Sequence, residues 1–177
     1  MRIGLMLAAA IGLIGPLLIA PGATRADSGG GNDQTPTCPP GTVYDARTGK
    51  CVKMQAGIIP DSGLTDYAYA LIKARRFAEV IGVLDLLQDP NTPVALNYRG
   101  YATRKLGRVD EGIGYYLKSV ALDPQYAQVR EYLGEAYLVK GDAASAKVQL
   151  AAIKQICGTV CDEYQHLAVA IADPSSL

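Results

Sequence analysis

Four cysteines, one histidine and two pairs of adjacent carboxylates carry most of the chemical potential of this 177-residue sequence. In "KQICGTVCDEY", residues 154–164, Cys157 and Cys161 stand four apart with a glycine between them. Such a pair could bind a metal, carry redox chemistry, or fasten two pieces of chain together. Zinc needs four ligands, His166 is the one histidine within reach, and C-x₃-C…H fits no standard finger. A redox role would use C-x-x-C on a thioredoxin-like fold, which the sequence lacks. Asp110–Glu111 and Asp162–Glu163 each open a predicted helix, where negative charge is favoured without catalysis. A Ser-His-Asp arrangement would have to use His166, and no Gly-x-Ser-x-Gly turn accompanies it. Neither G-x-x-x-x-G-K-[ST] nor a strand followed by G-x-G-x-x-G is present. The expectation is a protein that is not an enzyme, with no catalytic residue, no cofactor and no metal.

Deciding what the cysteines do requires the compartment. Arg2 precedes the uncharged run "IGLMLAAAIGLIGPLLIA", and Thr24 and Ala26 suit the small positions before a cleavage site. Residues 1–26 read as a secretory signal removed before Asp27. The rival is an uncleaved membrane anchor, against which stand Gly12, Gly15 and Pro16 in the run. No later apolar run approaches membrane-spanning length, so no membrane span is expected after signal removal. Losing Arg2 and Arg25 leaves 15 basic against 17 acidic side chains, a net charge of about −2. That balance lacks the basic stripe of a nucleic-acid binder, and "KARR" at 73–76 reads as cations at a helix C-terminus. All four cysteines (38, 51, 157, 161) follow the signal, so a periplasmic or secreted location makes disulfides the default.

Residues 27–37, "DSGGGNDQTPT", form a flexible linker. In "CPPGTVYDARTGKCV", residues 38–52, turn signals flank β-prone "TVY" and cysteines close both ends, which predicts a small loop or hairpin stapled Cys38 to Cys51. Residues 53–60 link it to the remainder. From residue 61 the chain repeats: Gly100, Gly107, Gly112, Tyr116 and Leu122 recur 34 residues later as Gly134, Gly141, Ala146, Leu150 and Ile156. A 34-residue period with helical apolar spacing is the signature of a helix–turn–helix array. "REYLGEAYLVKGDAASA" matches the L-G-x-x-Y core of the tetratricopeptide repeat (TPR), and "ALNYRGYATRKLGRVDEG" followed by "YYLKSVALDP" is a second copy. The chain resembles the TPR superfamily over residues 93–160, and more weakly over 61–92.

The resemblance implies an all-α fold, a right-handed helix–turn–helix solenoid over 61–172. Its repeats are 61–92, 93–126 and 127–160, its capping helix is 161–172, and 173–177 are a tail. Gly100, Gly112, Gly134 and Ala146 would let paired helices approach closely, and Gly107 and Gly141 would cap the first helices. Arg99 and Thr103 depart from the usual pattern and predict looser packing of the second repeat, while the first copy is about two residues short and lacks the turn glycine. Cys157 and Cys161 then fall on either side of the turn before the cap, where a disulfide would fix the cap's docking angle.

With Leu96, Gly100 and Thr103 facing the partner helix, Val94, Tyr98, Tyr101 and Lys105 occupy the opposite stripe. The equivalent stripes are Ser62, Asp66, Tyr69 and Lys73, then Gln128, Tyr132, Glu135 and Val139, then Asp162, His166 and Val169. The groove candidates are Tyr69, Tyr98, Tyr101, Lys105, Tyr132, Glu135 and His166, flanked by Asn97 and Glu131. Tyr98, Tyr132 and His166 form a column; the tyrosines in it serve equally well to pack neighbouring helices or to bind. The resemblance implies a non-enzymatic periplasmic adaptor that holds a protein or peptide partner in the concave groove. The alternative is an envelope ligand-binding protein whose 38–52 module binds glycan or another small ligand.

Overall fold

The computed structural model describes residues 35–177. The expected signal at 1–26 and residues 27–34 of the linker at 27–37 lie outside the described residues. Two short strands, β1 (Thr42–Asp45) and β2 (Lys50–Lys53), pair antiparallel with Thr42 opposite Lys53 and Asp45 opposite Lys50. Gly49, at a φ of 66°, makes the reversal, and the Asp45 carboxylate accepts from the Arg47 amide at 3.0 Å. A disulfide joins Cys38 to Cys51.

Seven helices follow among the described residues: α1 (Asp61–Lys73), α2 (Phe77–Leu84), α3 (Pro93–Lys105), α4 (Val109–Leu122), α5 (Ala127–Val139), α6 (Ala143–Cys157) and α7 (Asp162–Ala172). Where α3 starts, Thr92 Oγ1 accepts from the Ala95 amide at 3.2 Å with Pro93 in the first turn. Asp142 does the same for α6, accepting from Ser145 at 2.9 Å. The turns after α1, α3 and α5 close identically, by Arg76 N to Leu71 O at 2.9 Å, Arg108 N to Thr103 O at 3.1 Å and Asp142 N to Tyr137 O at 2.8 Å. Gly107 (φ 87°) and Gly141 (φ 79°) take the left-handed position in two of them, and Arg75 (φ 59°) takes it in the first. The short first copy therefore keeps the turn without its glycine, at the cost of backbone strain in an arginine.

The second repeat is not loose. A Cβ at Gly100 would lie 2.7 Å from the Tyr116 ring, and one at Gly112 would lie 2.9 Å from the Gly100 carbonyl, so α3 and α4 touch backbone to backbone. Arg99 escapes the interface by pairing with Asp85 at 2.8 Å, while Thr103 is buried with its hydroxyl unpartnered. Gly134 makes room for a different neighbour than expected. Its nearest contact is Leu167 of α7, so the glycine seats the capping helix.

The stretch at 53–60 is not a free linker. Ile59 is 3% exposed and joins Val43, Cys38, Leu64 and Tyr67 in one core, with Met54 packed against it. The Tyr67 hydroxyl accepts from the Cys38 amide at 2.8 Å, and Arg76 donates to the Cys38 carbonyl at 2.6 Å. An end repeat has no neighbour for its outer face; the hairpin supplies one. At the other end Cys157 and Cys161 are joined across the turn from α6 to α7.

Two outcomes are expected. Chain-entropy reasoning gives about 3 kcal/mol for the Cys38–Cys51 link and about 2 kcal/mol for the shorter Cys157–Cys161 link, so paired Cys→Ser variants should lose stability in that order by denaturant titration. Arg75→Gly should gain about 0.5–1 kcal/mol in the same assay, the left-handed penalty less the added chain entropy; an unchanged midpoint would mean the arginine carries no strain there.

Candidate functional site

Tyr69, Ile72 and Lys73 from α1, Arg75 and Phe77 beyond it, Tyr101 and Lys105 from α3, and Tyr132 from α5 line a groove of about 540 Å³, joined by Leu177 of the tail. Its floor is aromatic. Tyr101 lies 6.0 Å from Phe77 and 4.9 Å from Tyr132 between ring centroids, and Tyr132 lies 6.3 Å from the buried Tyr116. Its edge is cationic: Lys73 sits 5.6 Å from the Tyr69 ring centre, and Lys105 sits 5.5 Å from that of Tyr101. No Asp or Glu side chain lines it.

Behind the floor runs a buried polar layer. Arg104, 5% exposed, pairs with Glu135 at 2.7 Å and lies 5.4 Å from the centre of the Tyr101 ring. Glu131, 6% exposed, has Oε1 3.1 Å from His166 Nδ1. Burial, with Glu135 and Glu163 nearby, pushes the Glu131 carboxyl up to about 8, so it keeps its proton at neutral pH. Burial also pushes the Tyr132 and Tyr116 hydroxyls well above the usual phenol range, so both remain neutral. Desolvation and neighbouring Arg104 together lower Lys105 from the ordinary lysine value.

The sequence-derived candidates separate into two groups. Tyr69, Tyr101, Lys105 and Tyr132 come together in the groove. Tyr98 does not present a solvent-facing ring: it is 3% exposed and stacks on Tyr69 at 5.8 Å. Asn97 is fully buried, its amide donating to the Tyr126 hydroxyl at 3.0 Å and to Gln128 at 3.1 Å. Glu131 and Glu135 belong to the polar layer, and His166, 65% exposed at its side chain, is held on Glu131. The column at 34-residue steps therefore has three environments: a core tyrosine, a groove tyrosine and an exposed histidine. Neighbouring first helices differ in what lies over them, and a stripe drawn on one helix cannot register that. Arg75 and Phe77 escaped notice because the first copy is two residues short; aligned on their turns, Phe77 corresponds to Val109 and Arg75 to Gly107. Arg104 had no signal, being one more cation near a helix end.

His166 does not group with the two cysteines. A carboxylate oxygen of Glu163, rather than the imidazole, lies within 4.8 Å of both sulfurs. The sulfurs are bonded to each other.

No family model matches the chain, and no curated protein matches it. Among solved structures it is similar to the Yersinia enterocolitica type III secretion chaperone SycD, in complex with a peptide of the translocator YopD. The TM-score is 0.52 at 18% sequence identity, over 62% of this chain and 84% of that chain. The fold is TPR-like. At that identity the likeness speaks for the helical-repeat fold alone, and no helix among the described residues is long and apolar enough to cross a membrane.

Folded Glu131 holds its proton up to about pH 8, whereas its ordinary value is 4.5. Between those values the folded state binds more protons than the unfolded one, so this contribution to stability is full below about 4.5 and is lost as pH rises toward about 8. The melting temperature of the wild type should therefore fall relative to that of Glu131→Gln across this range; parallel curves would place Glu131 in a solvated site. Tyr98→Ala should cost about 3 kcal/mol, as a core truncation does.

Proposed function

We propose that the chain is a non-enzymatic adaptor that holds a protein or peptide segment in the aromatic groove, and that it works outside the cytoplasm, in the periplasm or cell envelope. One observation carries the reading: Phe77, Tyr101 and Tyr132 form a continuous aromatic floor under a cationic edge of Lys73, Arg75 and Lys105. Aromatics with a polar tip supply large contact area at low entropic cost and dominate interface energetics. The occupant that fits is a segment placing an apolar side chain on the floor and an acidic group against the edge. The solved neighbour, captured with a peptide of its translocator, supports a peptide partner for this fold. Two disulfides that use every cysteine support an oxidising compartment. The reading in which the 38–52 module binds glycan has less behind it, because Val43 and Cys38 already face the first helix pair.

Random twelve-residue peptides displayed on phage and selected on residues 27–177 test this. Enriched sequences should combine an aromatic or large aliphatic residue with Asp or Glu. Tyr101→Ala should weaken a selected peptide roughly thirtyfold, the loss of a hot spot of about 2 kcal/mol. Lys105→Glu, which disturbs an exposed side chain only, should weaken it roughly tenfold. Equal affinity for both variants would remove the groove as the binding surface.

A further inference from the structure

The molecule has a second cavity of opposite electrical character. It measures about 610 Å³ and opens where the N-terminal ends of α3, α5 and α7 meet the C-terminal end of α6. Val94, Pro93, Ala127, Ile156 and the Cys157–Cys161 disulfide make its bed. Asp123 and Glu163 stand on it, and no lysine or arginine lines it. The tyrosine groove, built on α1, the C-terminal half of α3 and the middle of α5, has three cationic side chains and no Asp or Glu.

The polar wall of this cavity is pre-built. The Tyr126 hydroxyl donates to Gln128 Oε1 at 3.0 Å, and the fully buried Asn97 holds both from behind, with its own Oδ1 unpartnered. Asp123 uses one oxygen on the Gln125 amide at 2.9 Å. Glu163 forms no hydrogen bond or ion pair among the described residues, and its carboxylate oxygen lies within 4.8 Å of both disulfide sulfurs. Glu163 lies in the first turn of α7, whose N-terminus favours its charge, but no cationic side chain lines the cavity to pair with it. An apolar bed ending at such a carboxylate suits a hydrocarbon stem with a cation at its tip.

We infer that the cavity lined by Val94, Ile156, the Cys157–Cys161 disulfide, Asp123 and Glu163 is a subsite for a lysine or arginine side chain of the bound polypeptide. The stem lies on the bed and the cation meets Glu163, with Asp123 beside it. The inference rests on the peptide-binding reading and deepens it. The partner carries an acidic and apolar element for the tyrosine groove and a basic residue for this one. Two sites of opposite charge on one partner set register and disfavour reversed binding.

The probe is N-acetyl-leucyl-lysinamide, with the norleucine analogue as a neutral control of the same chain length, titrated into ¹⁵N-labelled residues 27–177. The lysine compound should shift amides at 94, 125–128 and 156–163 and leave those at 69–77 and 101–105 unmoved. Glu163→Gln should weaken it at least fivefold, Asp123→Asn should weaken it further, and raised salt should act in the same direction. Equal binding of the norleucine compound, or an unaltered Glu163→Gln protein, would overturn the inference. So would n-butylammonium binding as tightly as the dipeptide, which would assign the cavity to a free amine. Intact dipeptide shifts in a protein whose selected peptides ignore Tyr101 and Lys105 would defeat the groove reading alone. The converse pattern would defeat the subsite alone.

Discussion

The contact of α3 with α4 through Gly100, Gly112 and the Tyr116 ring is the constraint on which the middle of the molecule depends. With backbone against backbone, the Tyr116 ring has nowhere to go but over Gly100, and it is fully buried there. From that position it touches Tyr132 of the next repeat, which in turn touches Tyr101. The aromatic floor is thus an outgrowth of helix packing: its half-buried members are supported by a ring that sees no solvent. Adding one methyl group at Gly100 would press on this ring before it disturbed any groove residue.

An end repeat lacks a neighbour to cover its apolar face, and the chain meets that need differently at each end. The first repeat hides its outer face beneath a disulfide-closed hairpin whose backbone is tied to Tyr67 and Arg76. The last is covered by α7, seated on Gly134 through Leu167 and anchored by the second disulfide. Both covalent links therefore lie at the boundaries of the repeat array, where cooperativity with neighbours is weakest. The second link has a further consequence, because its sulfurs form part of a cavity bed next to Glu163.

Charge is distributed so that each surface keeps one sign while the layer beneath is neutralised. Arg104 is compensated by Glu135, and Glu131 is kept protonated by its surroundings. An ionised Glu131 would add a negative charge behind a groove with a positive edge. Its protonation leaves Lys73, Arg75 and Lys105 as the charged side chains lining the groove.

The repeat itself was legible in the sequence. A period of 34 residues, glycines at the helix ends and close-approach positions, and apolar spacing at the helical period sufficed for the helix–turn–helix array. So was the pairing of cysteines within each module, because the two members of each pair are near in the chain and far from the other pair. Those features are local, and local chemistry is written in local spacing. What lay beyond reach was decided between elements. Tyr98 and Tyr132 are the same residue at the same repeat position, yet one is core and the other lines a groove. The difference comes from what packs over each helix: Tyr69 over one, Tyr101 over the other. The hairpin's union with the first repeat through Ile59 and the acidic cavity joining α3, α5, α6 and α7 share that origin. Each depends on residues brought together by contacts between elements, which no single segment contains.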